Sequence, residues 1–290
     1  MFKNLIVLTL FIGLLLPISN TFSSTTQKQT TLQSHRNWEK LNHKKLKLRS
    51  ESVLVVDSYG NLVYDKSPDT PLPIASITKL MTAIVILDSK LPLNEKIKIT
   101  KQDRDLIRLT GSRLKYGASL TRTELIQLAL MSSENRAAAA LGRTYPGGMQ
   151  AFVKAMNSKA KELGMNNSHF ADPAGLKAEN IASPQDLVTL LRTAKRFPLI
   201  QQATTQKQLT VYPYKTKGPL KYVNTNRLLK NKKWDIELSK TGYINEAGRC
   251  LVMEAEIVGE PLFIVLLNSF GKLTPFGDAN RLRKWIEAGI

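Results

Sequence analysis

The chain has 290 residues, 42% of them hydrophobic and 22% charged, enough to bury a large core, which excludes an intrinsically disordered protein. Its 42 Lys and Arg exceed its 23 Asp and Glu, giving a formal net charge of +19 that suits anionic partners: nucleic acid, acidic lipid headgroups or acidic cell-wall polymers. The single cysteine, Cys250, excludes an internal disulfide, a Cys-based metal site and a lipid-anchor cysteine behind a leader.

Met1 to Asn4 carry one positive charge ahead of an apolar run from Leu5 to Leu16, and small and polar residues follow from Ser19 to Ser24. That is the order of a secretory leader, and the run is short for a bilayer span, so residues 1–23 read as a signal peptide. Export argues against nucleic acid as the partner. Residues 24–50 read as a linker, first rich in Ser, Thr and Gln, then basic from Arg36 to Arg49: a solvated arm ahead of a folded domain over 51–290.

Ser52 to Asp57 and Asn61 to Tyr64 are β-branched and aromatic runs around Ser58-Tyr59-Gly60, the pattern of a hairpin. The stretch from Ser76 to Leu87 has almost no polar face, which predicts a central, buried helix. From Lys101 to Pro198 the pattern is mostly helical, with a capping box at Thr121 and Glu124 and a cap followed by proline at Ser183-Pro184. Period-2 runs return at 207–212, 236–240, 250–258 and 262–269, and a helix closes the chain over 280–288. The predicted class is α+β: an antiparallel sheet with helices packed against it and an all-helical insert.

Lys79 follows Ser76 by three residues and so shares its helical face. An ammonium in the first turn of so apolar a helix is costly to keep charged, so its pKa is expected to fall, and a neutral amine beside a hydroxyl is a general base that needs no histidine. Ser76 sits at the helix start, where free N–H groups favour developing negative charge. Spacing alone does not select this pair, since Ser112/Lys115, Ser158/Lys161 and Ser269/Lys272 repeat it. The apolar helix behind Ser76 does.

Two further motifs occur once each. Ser133-Glu134-Asn135 follows the helix ending near Met131 and offers a hydroxyl to relay a proton and a carboxamide to bind a peptide group; a cap and a turn asparagine would have the same composition. Lys240-Thr241-Gly242, at the end of a strand, presents a cation and a hydroxyl to an anionic group, with Gly242 allowing close backbone approach; a lysine-protected edge strand would read the same.

In this order the three motifs match the signature of class A β-lactamases and penicillin-binding proteins. With Pro73-Ile-Ala-Ser-Ile-Thr-Lys79, Leu130-Met-Ser-Ser-Glu-Asn-Arg-Ala137, Tyr145-Pro-Gly-Gly148 and Phe170-Ala-Asp-Pro-Ala-Gly-Leu176, the chain from about Glu51 onward resembles the low-molecular-mass D-alanyl-D-alanine peptidases of serine peptidase family S11. The resemblance implies a β-lactamase/transpeptidase-like fold, no cofactor and no metal. It implies Ser76 as acylated nucleophile, Lys79 as its base, Ser133 as proton relay, Asn135 as substrate clamp, Lys240 and Thr241 as the carboxylate-recognition strand with Gly242, and the N–H groups of Ser76 and Tyr243 as the oxyanion hole. Lys240 beside Lys79 is expected to depress the latter's pKa further. Partners implied are peptidoglycan peptide stems and β-lactams as covalent inhibitors, in the periplasm, with loose envelope association through the basic surface.

The rivals are poorer fits. His35, His43 and His169 offer no triad base, and a zinc site lacks ligands. A class A β-lactamase needs an additional glutamate, and Glu162, four residues before Asn166, lies in a stretch that resembles the peptidases. A non-catalytic wall-binding protein has no need of intact Ser76, Lys79, Ser133 and Lys240. Within the family, the chain stops about one helix after its last strand, without the second domain and anchor of many carboxypeptidases, and Glu134 stands where many of these have glycine. Both features resemble the short D-alanyl-D-alanine endopeptidase branch, with D-alanyl–diaminopimelate cross-links as substrate and D-alanyl-D-alanine carboxypeptidase as the alternative.

Overall fold

A computed structural model describes residues 37–290. The expected signal peptide and the Ser/Thr/Gln-rich part of the linker lie outside the described residues. Strand β1 (Ser50–Asp57) turns into β2 (Leu62–Lys66). The Asp57 carboxylate accepts the N–H groups of Tyr59 and Asn61 at 3.0 and 2.8 Å, and Gly60 supplies the left-handed φ of +96°. After the short β3 (Leu72–Pro73) comes helix α1 (Thr78–Asp88), in which every residue from Thr78 to Ile86 is buried.

The insert then runs through β4 (Lys96–Lys98), β5 (Ser119–Thr121), α2 (Arg122–Met131), α3 (Asn135–Arg143), α4 (Gly148–Glu162), β6 (Ile181–Ala182), α5 (Pro184–Lys195) and α6 (Pro198–Thr205). The Thr121/Glu124 capping box starts α2, and the Ser183 side chain caps α5 with Pro184 in its first turn. A hairpin of β7 (Gln208–Val211) and β8 (Leu220–Val223) follows, then β9 (Asp235–Ile244), β10 (Gly248–Ile257), β11 (Glu260–Ser269) and α7 (Thr274–Gly289).

Five strands form one antiparallel sheet in the order β2-β1-β11-β10-β9, while β3/β6, β4/β5 and β7/β8 make separate two-stranded pairs. The three central strands are buried on both faces, which is why they read as continuous apolar runs. Leu54, Val252, Val265 and Leu267 face the core built on α1, α2 and α5. Their neighbours Val53, Val55, Leu251, Met253, Ile264 and Leu266 face a second core closed by Ala279, Leu282 and Ile286 of α7.

Four expectations need correction. The insert is not all-helical: β4 pairs with β5 and β6 with β3, in strands of two or three residues that are too short for a period to show in the sequence. The basic arm is not wholly solvated: Trp38, Leu41 and Leu46, spaced among its lysines, are buried in the second core, and Trp38 Nε1 donates to Asp57 at 2.9 Å. Packing thus begins ahead of residue 51, because the apolar residues of the arm complete the layer that α7 leaves open. Strand β9 extends past Lys240-Thr241-Gly242 rather than ending there, since β10 pairs with it up to Ile244. Helix α7 begins at Thr274 instead of 280, with Pro275 in its first turn.

Candidate active site

The site is built where the edge strand β9 and the loop over 172–177 press against the turn that precedes α1. Ala75–Ile77 form a 3-10 turn, with Ala75 at φ +48°, and Ser76 is half-buried at its centre. A Cβ on Gly242 would sit 2.7 Å from the Ile74 carbonyl oxygen and 3.2 Å from the Ser76 nitrogen. One on Gly175, at φ +73°, would sit 1.9 Å from the Ala75 oxygen. Both approaches require glycine, and the one at Gly242 brings the β9 backbone alongside the Ser76 N–H.

Lys79 is fully buried, and its Nζ donates to Ser76 Oγ at 2.7 Å, Asn135 Oδ1 at 2.8 Å and the Ala174 carbonyl at 2.6 Å. Burial pulls its pKa down from 10.5 to about 7, against the opposing fields of Asp172, Glu134 and Asp105. As a neutral amine it has two N–H groups, and the two carbonyl-type acceptors Asn135 and Ala174 hold both. Its lone pair then faces Ser76 Oγ. Ala174 is itself fixed by Asp172, whose carboxylate accepts the N–H groups of Ala174, Gly175, Leu176 and Lys177, and Thr82 of α1 donates to the Pro173 carbonyl at 2.7 Å.

Ser133 lies in the turn between α2 and α3 at φ +59°, a strained backbone for a residue with a Cβ. Glu134 caps α3 and Asn135 is its first residue. Lys240, 1% exposed, donates to Ser133 Oγ at 3.0 Å and to its neighbour Thr241's carbonyl at 2.8 Å. Burial first, and then the charge of Lys79, push Lys240 well below the usual lysine range. The two buried ammonium groups disfavour each other's charged form, as expected of like charges, while Asp172, Glu134 and Asp105 favour the charged form of Lys79. The Thr241 hydroxyl is 2.7 Å from that of Thr225.

Hydrogen bonds thus link Ser76, Lys79 and Asn135 in one chain and Ser133 with Lys240 in another, and Thr241 and Gly242 complete the wall of the cleft. Tyr243 follows on the same wall with its ring exposed and its hydroxyl on Asn245 at 2.9 Å. The cleft has a volume of about 780 Å³ and is lined by Ser76, Ser133, Asn135, Thr241, Gly242 and Tyr243 among others. Cys250 also lines it, but burial pushes its thiol up to about 12, so it is inert as a thiolate. His169 pairs in a β-bridge with Ile181, His43 lies in the N-terminal segment, and His35 lies outside the described residues. Glu162 ends α4 in an ion pair with Lys159. Among the described residues no cluster of three or more His, Cys, Asp or Glu could hold a metal.

The stretch 170–176 carried the family resemblance, but Asp172 and Ala174 within it were given no role, and Thr82 and Thr225 were missed. Ala174 acts through its backbone carbonyl and Thr225 through a hydroxyl that no motif marks; an aspartate followed by Pro-Ala-Gly was the available signal of a carboxylate organising its own loop.

Comparison with known proteins adds an independent line. Residues 39–271 match the profile of peptidase family S11, described as D-alanyl-D-alanine carboxypeptidase. The chain is 49% identical over 243 residues to a protein of Pseudomonas aeruginosa named D-alanyl-D-alanine endopeptidase, covering 83% of this chain and 78% of the relative. An Escherichia coli K12 protein of the same name is 46% identical over 244 residues, with 83% and 78% covered. The crystal structure of the Streptomyces K15 DD-transpeptidase superposes with a TM-score of 0.77 at 27% identity, covering 83% of this chain and 98% of that one.

Proposed function

The chain belongs to peptidase family S11, and from that premise we propose that it is a serine D-alanyl-D-alanine endopeptidase that cuts D-alanyl–diaminopimelate cross-links of peptidoglycan through an acyl-enzyme on Ser76. The observation that carries the chemistry is the 2.7 Å contact between Ser76 Oγ and a buried Lys79 whose pKa is about 7. What favours the cross-link over the terminal D-alanine is the endopeptidase name of relatives at 46 and 49% identity. The family description keeps D-alanyl-D-alanine carboxypeptidase as the second reading.

In the proposed reaction neutral Lys79 takes the Ser76 proton as Oγ attacks the D-alanyl carbonyl carbon. The oxyanion forms between the N–H groups of Ser76 and Tyr243, a reading supported by the close approach of Gly242, the residue before Tyr243, to the Ser76 nitrogen. The C–N bond then breaks, and the proton passes through Ser133 to the departing amine, leaving an ester on Ser76. Asn135 holds the acyl part, while Lys240 and Thr241 take the carboxylate beside the departing amine. Water resolves the ester with Lys79 again as base. β-Lactams are expected to acylate the same serine. The leader-like order of residues 1–23 supports a periplasmic site of action, and the net charge of +19 supports loose association with the envelope.

Digests of purified cross-linked dimer and of uncross-linked pentapeptide muropeptides test the reading. The expected result is loss of dimer with monomers formed, abolished in Ser76→Ala. Release of free D-alanine with dimers left intact would sustain the carboxypeptidase alternative instead.

A further inference from the structure

The cleft is electrically one-sided. Arg227, Lys230, Arg249 and Lys272 line it together with the catalytic groups, and no Asp or Glu does. Among the described residues none of the four is in an ion pair. This contrasts with Arg108, Arg122, Arg143 and Lys159, which each have a carboxylate within 2.8 Å. Arg249 instead lies over the Tyr243 ring at 3.5 Å, which leaves its guanidinium edge available.

The position of these cations relative to the chemistry matters. Thr225, whose hydroxyl meets that of Thr241, leads directly into a 3-10 turn over Arg227–Lys230 that is capped by Asn226. Asn226 is buried and also donates to Ser239 Oγ of β9 at 2.9 Å, so the turn is tied to the strand that carries Lys240 and Thr241. Leu228 is buried in the second core, whereas Arg227 and Lys230 stand exposed at the cleft. The first carboxylate beside the scissile amide is already matched by Lys240 and Thr241. A single departing D-alanine carries that carboxylate and no other, so it gives Arg227 and Lys230 nothing to bind.

We propose that Arg227 and Lys230 form a subsite for further carboxylates on a departing peptide stem, making them specificity-determining residues for cross-linked over terminal substrates. The inference rests on the endopeptidase reading. Diaminopimelate carries two amino-carboxylate centres; when the amine of one is in the scissile bond, the other continues into a peptide that ends in a carboxylate of its own. Such a stem is long enough and anionic enough to reach past Thr241 to the capped turn. Exposed cations gain little individually, but their attraction is directional here because the turn is held to β9.

The test compares wild type with Arg227→Ala/Lys230→Ala and Arg227→Glu/Lys230→Glu, measuring kcat/KM for cross-linked dimer and the rate of acylation by labelled penicillin. The ratio of the two is expected to fall about tenfold in the alanine variant, through KM, and further on charge reversal. Added salt should lower dimer cleavage by wild type more than by the alanine variant. Wild type that cleaves dimer while the charge-reversed variant keeps the same ratio overturns this inference alone. Wild type that leaves dimer intact overturns the endopeptidase reading and this inference with it.

Discussion

Two Ser-x-x-Lys pairs in this chain have the same spacing and opposite fates. Ser158 and Lys161 sit on α4 with both side chains exposed. Ser76 and Lys79 sit at the entry to α1, where the lysine has no exposed surface and its amine touches Ser76 Oγ, Asn135 and Ala174. Spacing makes a serine and a lysine neighbours; desolvation and fixed acceptors are what single out Lys79 as the proposed base. The difference lies in what three other chain segments bring to α1, and that can be perturbed segment by segment.

The largest effect is expected from the amine itself. Lys79→Ala should lower acylation by labelled penicillin about 10²- to 10⁴-fold, the range for losing a positioned general base, while Ser76 remains in place. Stopped-flow or gel-based acylation rates check this. A smaller loss is expected at Gly242. In Gly242→Ala the new Cβ meets the Ile74 oxygen at 2.7 Å, so β9 must retreat from Ser76. A displacement of that kind costs on the order of 10²-fold in rate, measured by acylation with a thermal melt to confirm folding. The smallest effect belongs to the exposed pair: Ser158→Ala and Lys161→Ala should leave acylation at the wild-type rate and shift stability by less than about 0.5 kcal/mol, read by denaturant titration.

Much of this was legible in the chain. The apolar run behind Ser76 announced a buried helix, and the apolar runs in 250–258 and 262–269 announced the central strands that occupy Gly248–Ile257 and Glu260–Ser269. The α+β class followed from the order of these patterns. The single-copy motifs marked the side chains that meet at the cleft. What escaped notice has physical reasons. Strand β8 is four residues between Gly218-Pro219 and Asn224, too short for a period to be counted. The burial of Trp38, Leu41 and Leu46 depends on a face left open by α7, more than 200 residues downstream, and local charge density masked it. The Ala174 carbonyl that holds Lys79 is a backbone atom, and backbone acceptors leave no trace in residue identity. The nearness of Lys240 to Lys79 was foreseen, but the fields of Asp172, Glu134 and Asp105 were not, because those carboxylates come near Lys79 only in three dimensions.

In the proposed reaction, burial makes Lys79 a neutral base for Ser76 near neutral pH. Its pKa is lowered to about 7, so the protonated, inactive form dominates below that value and the active amine above it. The rate of Ser76 acylation by labelled penicillin, measured from mild acid to mild alkali at saturating reagent, should rise through a midpoint near 7 and then level off. A rate that is flat across that range, or one that begins to rise only near the ordinary lysine value of 10.5, would contradict it.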